Sequence, residues 1–347
     1  MGSKRIVVIG GTAAGPKAAA RAKRLDEQAE VILVQKAPEL SMASCGYPYY
    51  VAGEVKGRDM LLCTPAGVVR DPAFFSGAKG ITALVGTEVT AIDREAKTVA
   101  WKRTATGETG ELPYDKLILA TGSVPKVPPI PGRELSGVTT LSSLADADGL
   151  RAVAATSKGE AAVIIGGGLI GMETCEALVA AGMDVTVVEA LPQILGFLDP
   201  ELALLVEKHA RSKGAKIVTG VGITEIFGMD GKVSGVRLAD GRELPASLVV
   251  MAIGVAPNTA LAKAAGLALG PTGGLVTDAH MRTSDQDIYA AGDCVEVLNR
   301  LTGKPMHAPF GDLANLEGRV AGENAVLGDM ATFPGTIRSG ICKIFDF

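Results

Sequence analysis

The chain has 347 residues, enough for two or three domains, and 47% of them are hydrophobic, so it can bury a large core. Its formal net charge is −4 and no basic stripe stands out, which argues against a nucleic-acid partner. The longest apolar runs are too short to span a bilayer, and Met1–Arg5 lead into the first strand without a signal-peptide pattern. The five cysteines are scattered, which favours a reducing, cytoplasmic location, and no metal site is predicted.

Residues 5–36 are predicted to form a strand, a Gly-rich turn, an Ala-rich helix over about 14–25 and a second strand over 31–35. The turn between Gly10 and Gly15 follows the pattern of a dinucleotide-binding loop, in which Gly allows close approach to a pyrophosphate. Thr12 replaces its second Gly, and Gln35 replaces the acid that usually ends the second strand. The signal is therefore weak by itself, although the Gln35 amide can still bond a ribose hydroxyl.

A second such unit begins with a strand over 161–165, a helix over about 170–181 and a strand over 184–189. Gly166, Gly168 and Gly171 complete the fingerprint between strand and helix, and Glu189 follows about 20 residues later. The helix N-terminus attracts the pyrophosphate, and Glu189 can accept hydrogen bonds from both ribose hydroxyls. A carboxylate would repel a 2′-phosphate, so the pattern favours NADH over NADPH.

The remaining elements are short. Hairpins are predicted over 81–101 and hairpin-like sequence over 216–244, with a Pro-rich linker over 125–132 and a helix over 313–326. Buried strands over 114–120 and 288–291 end in Thr121-Gly122 and Gly292-Asp293. A dinucleotide in an extended pose needs such small and polar groups along its length, and Asp293 suits a ribityl hydroxyl.

Cys45 is the candidate redox residue, in the segment Ser41–Tyr50. A free cysteine with a pKa of about 8.5 is mostly protonated at neutral pH, whereas the thiolate is the reactive form. A helix start after Ser44 would place Cys45 near a helix N-terminus and favour the thiolate. The other four cysteines lack such a context and are interpreted as packing residues.

Six motifs occur in order: G-x-x-x-x-G, S-x-x-x-C-G-x-P-Y-Y, A-T-G-S-x-P, G-G-G-x-I-G-x-E, G-x-x-P-N and I-Y-A-A-G-D. With these six motifs the sequence resembles the FAD-dependent pyridine nucleotide–disulfide oxidoreductases, and the resemblance covers essentially its whole length. More narrowly it resembles their single-cysteine branch, which contains coenzyme A disulfide reductases, CoA-persulfide or polysulfide reductases, NADH oxidases and NADH peroxidases. The resemblance implies an α/β, glutathione-reductase-like fold with two Rossmann-like dinucleotide-binding domains.

The resemblance also implies site residues and domain bounds. FAD would contact Gly10, Gly15, Gln35, Thr121, Gly122 and Asp293, and NADH would contact Gly166, Gly168, Gly171 and Glu189. Glu173 would lie near the contact between flavin and nicotinamide. Three further residues are predicted to bind a cofactor: Lys36, Ser44 and Gly254. The FAD domain would comprise residues 1–148 and 278–330, interrupted by an inserted NAD domain at 149–277, and residues 331–347 would open a C-terminal dimerisation domain that is otherwise absent. A homodimer is expected for the full-length form, and a weaker one or none for this chain.

Comparison with members of the resembled family favours one class of electron acceptor but does not identify the acceptor. Two-cysteine members carry C-x-x-x-x-C here, but Ser41 lies four residues before Cys45 and Tyr50 five after, so Cys45 must react with an external sulfur or with oxygen. Ala13 stands where oxidases and peroxidases typically carry a His, which disfavours oxygen chemistry.

The sequence therefore favours NADH-dependent reduction of CoA disulfide, CoA persulfide or polysulfide. Three basic residues of the first helix are tentative contacts for the phosphates of coenzyme A, which is predicted as substrate or bound cofactor: Lys17, Arg21 and Arg24. The alternatives are an NADH oxidase or peroxidase, an NADH-dependent reductase of a small electron-transfer protein, and a non-enzymatic redox sensor.

Overall fold

The computed structural model describes residues 3–337 and 339–347. Met1 and Gly2, at the start of the segment predicted to carry no signal peptide, and Arg338, in the predicted C-terminal segment 331–347, lie outside the described residues. The chain forms two compact units. The first unit comprises Met1–Ala43, Leu62–Val124 and Ala256–Ser339, and the second comprises Ser44–Leu61, Pro125–Val255 and Gly340–Phe347.

The helices begin and end where local sequence signals allow. Ser143 and Asp146 form a capping box at the start of one helix, and Asp71 caps another by accepting a hydrogen bond from the backbone N–H of Phe74 at 2.7 Å. In chain order the helices are α1 (Ala14–Leu25), α2 (Tyr47–Val51), α3 (Pro72–Lys79), α4 (Leu144–Thr156), α5 (Leu169–Ala180), α6 (Pro200–Ser212), α7 (Ala260–Ala264) and α8 (Gly311–Leu327). Single 3₁₀ turns lie at Ser44–Gly46 and Arg58–Leu61.

The strands are short, and those at the centre of the two parallel sheets are mostly apolar. In chain order they are β1 (Arg5–Ile9), β2 (Glu30–Val34), β3 (Thr82–Leu84), β4 (Thr87–Asp93), β5 (Thr98–Arg103), β6 (Thr109–Pro113), β7 (Lys116–Leu119), β8 (Ser123–Pro125), β9 (Val138–Thr139), β10 (Ala161–Ile165), β11 (Asp184–Glu189), β12 (Lys216–Thr219), β13 (Ile223–Met229), β14 (Lys232–Leu238), β15 (Glu243–Pro245), β16 (Leu248–Met251), β17 (Val255–Pro257), β18 (Ile288–Ala290), β19 (Val297–Leu298) and β20 (Pro305–Met306).

The first unit is built on a parallel sheet of order β18-β7-β1-β2-β3. Its strands are buried on both faces, which explains their unbroken Val, Ile and Leu runs. Helices α1 and α8 pack closely because α8 has Gly at two contact positions. A Cβ at Gly318 would lie 2.3 Å from the carbonyl oxygen of Ala14, and one at Gly322 would lie 2.3 Å from that of Ala18. The antiparallel strands β4, β5 and β6 form a separate sheet.

The second unit repeats this plan with a parallel sheet of order β12-β11-β10-β16-β9 and an antiparallel sheet of β13, β14 and β15. In each unit the first strand of the Gly-rich motif is central, with the next strand of the motif on one side and a later strand on the other. The strand order therefore reverses at this central strand, and doubly wound sheets bind ligands in the crevice that forms there. The architecture confirms the predicted α/β class with two Rossmann-like units.

Two element predictions were wrong in part. Hairpins were predicted over 81–101, but Thr82–Leu84 pairs in parallel with β2 at the edge of the first main sheet, and antiparallel pairing begins only at Thr87. The stretch 216–244 was predicted to be hairpin-like throughout, but Lys216–Thr219 pairs in parallel with β11 at the edge of the main sheet. The antiparallel pairing begins only at Ile223. Gly220, with φ +73°, separates the two parts of this stretch. Among the described residues, no helix is long and apolar enough to cross a membrane.

Candidate functional site

The Gly-rich loop of the first unit joins β1 to α1. The backbone N–H of Gly10 donates to the carbonyl of Val34 at 2.9 Å, and a Cβ at Gly15 would lie 1.8 Å from the carbonyl oxygen of Gly10. Only glycine at position 15 allows helix and strand to approach so closely. The Oε1 atom of Gln35, a buried side chain at the end of β2, accepts a hydrogen bond from the N–H of Gly11 at 2.9 Å. Gln35 thus tethers the loop from the neighbouring strand.

Polar groups gather at the same end of this sheet. Strands β7 and β18 are parallel neighbours, so the residues that follow them lie side by side. The Thr121 hydroxyl donates to the carbonyl of Asn258 at 2.7 Å, and Asp293 accepts from the Ser123 hydroxyl at 2.8 Å. Burial raises the pKa of Asp293. Gly122 has φ +72°, and a Cβ there would have no atom within 4 Å.

The basic residues predicted to bind a cofactor or the substrate differ in burial and in whether they form an ion pair. Arg21 forms a part-buried ion pair with Glu323 of α8 at 2.5 Å, so its charge already has a partner. Lys17 is half-buried on α1, and Arg24 is exposed in its last turn. Lys36 pairs with a carboxylate of β4 at 2.9 Å on the surface. The geometry therefore leaves Lys17 and Arg24 as the better candidates for an anionic substrate.

The Gly-rich loop of the second unit repeats the geometry of the first. A Cβ at Gly171 would lie 2.0 Å from the carbonyl oxygen of Gly166, so this position again permits close helix–strand packing. The Oε2 atom of Glu189, at the end of β11, accepts from the N–H of Gly167 at 2.7 Å. At Gly168 a Cβ would have no atom within 4 Å, so the loop leaves open space on that side.

These features fit the two dinucleotides that the motifs imply. Both loops lie at the carboxyl ends of parallel strands, and each opens a helix whose N-terminus attracts phosphate. The missing side chains at Gly122 and Gly168 leave space where a Cβ would stand, and Gly254 is equally open with φ +96°. FAD would be held by the first loop with Thr121, Gly122 and Asp293. The pyridine nucleotide would be held by the second loop with Glu189 and Gly254.

Cys45 lies in the 3₁₀ turn Ser44–Gly46, directly before α2, and both Ser44 and Cys45 are exposed. A Cβ at Gly46 would lie 2.4 Å from a methyl of Leu61, so Gly46 allows the turn to pack against that side chain. Cys45 is thus an exposed residue in a helical turn.

Two other cysteines cannot serve in this way. Cys175 and Cys294 have no exposed surface. Burial raises the pKa of Cys175 to about 12 and that of Cys294 to about 11, so both remain neutral thiols near pH 7. Cys63 and Cys342 are half-buried.

Helix α2 is anchored by residues that the sequence did not single out. Arg151 of α4 donates to the carbonyl oxygens of Tyr50 at 2.7 Å and Val55 at 2.8 Å, and its guanidinium lies 4.3 Å from the centre of the Tyr50 ring. The Tyr50 hydroxyl donates to Asp148 at 2.9 Å. Arg151 and Asp148 belong to no sequence motif, so the sequence alone does not single them out. The fold shows that they hold the segment after Cys45.

Glu173 lies on α5, beside a cavity shared with α2. Burial, with a further contribution from Glu176, raises the pKa of Glu173 to about 7. Burial and the charge of Glu173 also raise the pKa of the Tyr49 hydroxyl. The side chains around this small cavity of about 10 Å³ belong to Pro48, Tyr49, Ala52, Glu54, Glu173, Glu176, Ala177 and Lys343. The helix after Cys45 and the helix after the second Gly-rich loop therefore meet at Glu173, a carboxyl that is largely neutral below pH 7.

Comparison with known proteins gives the same assignment. Residues 4–311 match the family model described as pyridine nucleotide-disulphide oxidoreductase. A protein of Methanocaldococcus jannaschii named NADH oxidase is 34% identical over 344 residues, which cover 99% of this chain and 74% of that protein. A protein of Pyrococcus horikoshii named NAD(P)H coenzyme A polysulfide/persulfide reductase is 35% identical over 348 residues, with 99% and 74% covered.

Among solved structures, an NAD-dependent persulfide reductase from A. fulgidus superposes with a TM-score of 0.95 at 47% identity. The match covers 99% of this chain but 62% of that chain, so this sequence spans about three-fifths of its length. The similarity confirms the glutathione-reductase-like fold and is consistent with the single-cysteine branch. The chain thus belongs to the pyridine nucleotide-disulphide oxidoreductase family, whose members are enzymes that use FAD and NAD(P)H.

Proposed function

We propose that this protein uses NADH to reduce a sulfur substrate, either CoA disulfide, CoA persulfide or polysulfide, through the single redox residue Cys45. The observation that carries the proposal is the exposed position of Cys45 in the turn before α2, while Cys175 and Cys294 are buried. The names of the persulfide and polysulfide reductases described above support it. The expected cytoplasmic location and the homodimer of the full-length form remain predictions.

The choice of NADH rests on Glu189. Its Oε2 atom accepts from Gly167 at 2.7 Å and its Oε1 atom from Leu191 at 2.8 Å, which holds the carboxylate beside the loop that receives the nucleotide. A carboxylate fixed there accepts hydrogen bonds from ribose hydroxyls and repels a 2′-phosphate. We therefore propose NADH as the preferred donor and NADPH as a poor one.

The chemistry assigned to the chain is thiol–disulfide exchange. The Cys45 thiolate attacks one sulfur of CoA disulfide, the sulfur–sulfur bond breaks, one CoA thiolate leaves and a mixed disulfide remains on Cys45. With CoA persulfide or polysulfide, the thiolate attacks the outer sulfur and its bond to the next sulfur breaks. CoA thiolate or a polysulfide one sulfur shorter leaves, and a persulfide remains on Cys45. FAD, when bound, supplies the two electrons that restore the thiolate and release the second thiol or hydrosulfide, with NADH as the source of hydride.

The rest of the site positions these groups. The turn at Gly46 exposes Cys45, and Arg151 holds the backbone that follows it. Lys17 and Arg24 are the proposed partners of the CoA phosphates, whereas Arg21 is engaged by Glu323. If CoA binds there, Lys17→Ala and Arg24→Ala will raise the KM for CoA disulfide but not the KM for inorganic polysulfide.

A turnover assay tests the proposal. The FAD-loaded protein is supplied with NADH under argon, and NADH loss is followed with CoA disulfide, CoA persulfide or polysulfide as acceptor. We expect turnover with at least one sulfur acceptor and little with oxygen. Turnover with oxygen alone would reject the proposal.

An NADH oxidase is the second candidate, favoured by the name of the Methanocaldococcus jannaschii relative. Against it, Ala13, at the position where oxidases typically carry a His, is the N-cap of α1 and supplies no proton donor. An oxidase would consume oxygen stoichiometrically with NADH, and the assay in air separates the two candidates.

A further inference from the structure

A buried carboxyl of the first unit has no role in the chemistry described above. Glu317 lies in the middle of α8 with 1% of its surface exposed. Its Oε2 atom accepts a hydrogen bond from the backbone N–H of Gly292 at 2.6 Å. Gly292 has φ +83° and forms the turn that carries Asp293 after β18. Glu317 therefore holds the backbone of a turn that is assigned to FAD.

The turn itself lies against the start of the phosphate-binding helix. A Cβ at Gly292 would lie 3.0 Å from the Cβ of Ala14, the first residue of α1. The residue after Glu317 in α8 is Gly318, where a Cβ would lie 2.3 Å from the carbonyl oxygen of the same Ala14. Glu317, the Gly292–Asp293 turn and the N-terminus of α1 thus form one packed cluster beside the loop expected to receive the pyrophosphate.

The charges around Glu317 oppose its ionisation. The titratable groups that face it are Asp293 and Cys294, with His307 next to Asp293. Burial, reinforced by the charge of Asp293 and opposed by the Gly292 N–H, raises the pKa of Glu317 to about 8. The α1 residues packed on this part of α8 are Ala14 and Ala18, and the Arg21–Glu323 ion pair of the two helices lies about two turns further along.

We propose that Glu317 is a positioning residue of the FAD site, whose neutral carboxyl keeps the Gly292–Asp293 turn in the conformation that receives FAD. FAD brings a pyrophosphate with two negative charges to the N-terminus of α1. An ionised Glu317 would add a second buried negative charge beside Asp293 and repel that group. FAD binding therefore favours the protonated form of Glu317. At a pH where Glu317 of the free protein is ionised, binding takes up a proton from solvent.

This inference rests on FAD as the family's cofactor and is independent of the proposed sulfur substrate. The first test is the dissociation constant of FAD, measured by flavin fluorescence on the apoprotein between pH 7 and pH 9. If only the protonated form binds, a pKa of about 8 predicts about a tenfold weaker affinity at pH 9 than at pH 7. Glu317→Gln keeps a hydrogen-bond acceptor and cannot ionise, so its affinity should stay constant over this range.

Glu323→Gln is the matched control, because it makes the same change on the same helix away from the turn. We expect it to keep the pH dependence of the wild type. Titration calorimetry at pH 8.5 in two buffers of different ionisation enthalpy provides a second readout. The wild type should take up a fraction of one proton per FAD bound, and Glu317→Gln should take up none.

A pH dependence of FAD affinity that is the same in the wild type and in Glu317→Gln would overturn the proposal, as would wild-type binding without proton uptake. If Glu317→Gln does not fold, the infrared difference spectrum of the wild type on adding FAD at pH 8.5 decides. A new C=O band of a protonated carboxyl is expected, and its absence would contradict the assignment.

Discussion

The carboxylate of Glu189 accepts a hydrogen bond from the backbone N–H of Gly167 at 2.7 Å, which joins the end of β11 to the Gly-rich loop after β10. The first unit repeats this contact, with Gln35 accepting from Gly11 at 2.9 Å. The tether needs an acceptor but not a charge, so Gln35 can replace an acid without loss of the loop's shape. We therefore expect the charge of Glu189 to act on the choice between NADH and NADPH.

Substitutions of Glu189 should separate these two roles. Glu189→Gln keeps the acceptor, so NADH affinity should fall little, while NADPH affinity should rise because the repulsion of its 2′-phosphate is lost. Glu189→Ala also removes the tether, and NADH affinity should fall about tenfold, the equivalent of about 1.4 kcal/mol. Nucleotide titrations of both variants check this, and equal NADPH affinity in wild type and Glu189→Gln would contradict it.

Gly168 and Gly171 should differ although both belong to the fingerprint. A Cβ at Gly168 meets no atom within 4 Å and its φ is −76°, so Gly168→Ala should fold with a wild-type Tm. Its methyl group would occupy the space expected for the pyrophosphate and lower NADH affinity at least tenfold. In Gly171→Ala the Cβ would lie 2.0 Å from the carbonyl oxygen of Gly166, which should cost about 2 kcal/mol or more of stability.

Thermal unfolding and NADH titration of Gly168→Ala and Gly171→Ala, on the same samples, check both expectations. A wild-type NADH affinity in Gly168→Ala would show that the nucleotide does not approach the backbone there. A wild-type Tm in Gly171→Ala would show that the close helix–strand approach is not required.

Glu173 should make stability depend on pH. Its pKa is raised from 4.5 to about 7, so the folded state holds a proton that the unfolded state releases. The stabilising contribution is complete below pH 4.5 and is lost as pH rises to about 7, with a total of about 1–3 kcal/mol. Glu173→Gln removes this dependence and should be more stable than the wild type at pH 8.

The comparison requires Tm values of wild type and variant from pH 4 to pH 8. The Tm advantage of Glu173→Gln should grow between pH 5 and pH 7 and then remain level. Glu160→Gln, at an exposed position before β10, should show no such trend. A constant difference between wild type and Glu173→Gln across this range would rule out ionisation of Glu173 as its cause.

Arg151 should control the order of the segment after Cys45. Its guanidinium donates to the carbonyls of Tyr50, Val55 and Lys56, and a lysine cannot reproduce this fork. Arg151→Lys should therefore cost about 2 kcal/mol and speed amide hydrogen exchange over residues 47–56. Arg133→Lys, at an exposed position directly after the linker, serves as the control. Unchanged exchange in Arg151→Lys would show that the segment is held by other contacts.

The sequence predicts elements best where one chain segment determines them. Helix α1 and strands β10 and β11 are marked in the sequence by Gly-rich turns and apolar runs. Their observed bounds match the prediction within a residue or two. Helices α4 and α6 were not predicted, although Ser143 and Asp146 form a capping box before α4. Strand β12 was mistaken for part of a hairpin because its partner β11 lies far away in the sequence.

The site shows the same division. The Gly-rich loops and Cys45 carry local motifs, so their positions could be predicted. Glu317 carries no such motif, and it is buried where Gly318 and Gly322 let α8 pack closely on α1. Arg151 likewise has no motif, since its partners are backbone carbonyls of another segment. Such roles depend on tertiary packing, so local sequence patterns do not predict them.

The central claim is that electrons leave the protein through Cys45 to a sulfur acceptor. The most direct measurement follows flavin absorbance by anaerobic stopped flow, using FAD-loaded protein reduced with NADH and then mixed separately with CoA disulfide, CoA persulfide, polysulfide or oxygen. We predict that one sulfur acceptor reoxidises the wild type and the Cys63→Ser control rapidly, but not Cys45→Ser. Equal reoxidation of the wild type and Cys45→Ser by oxygen, with no response to any sulfur species, would contradict the account.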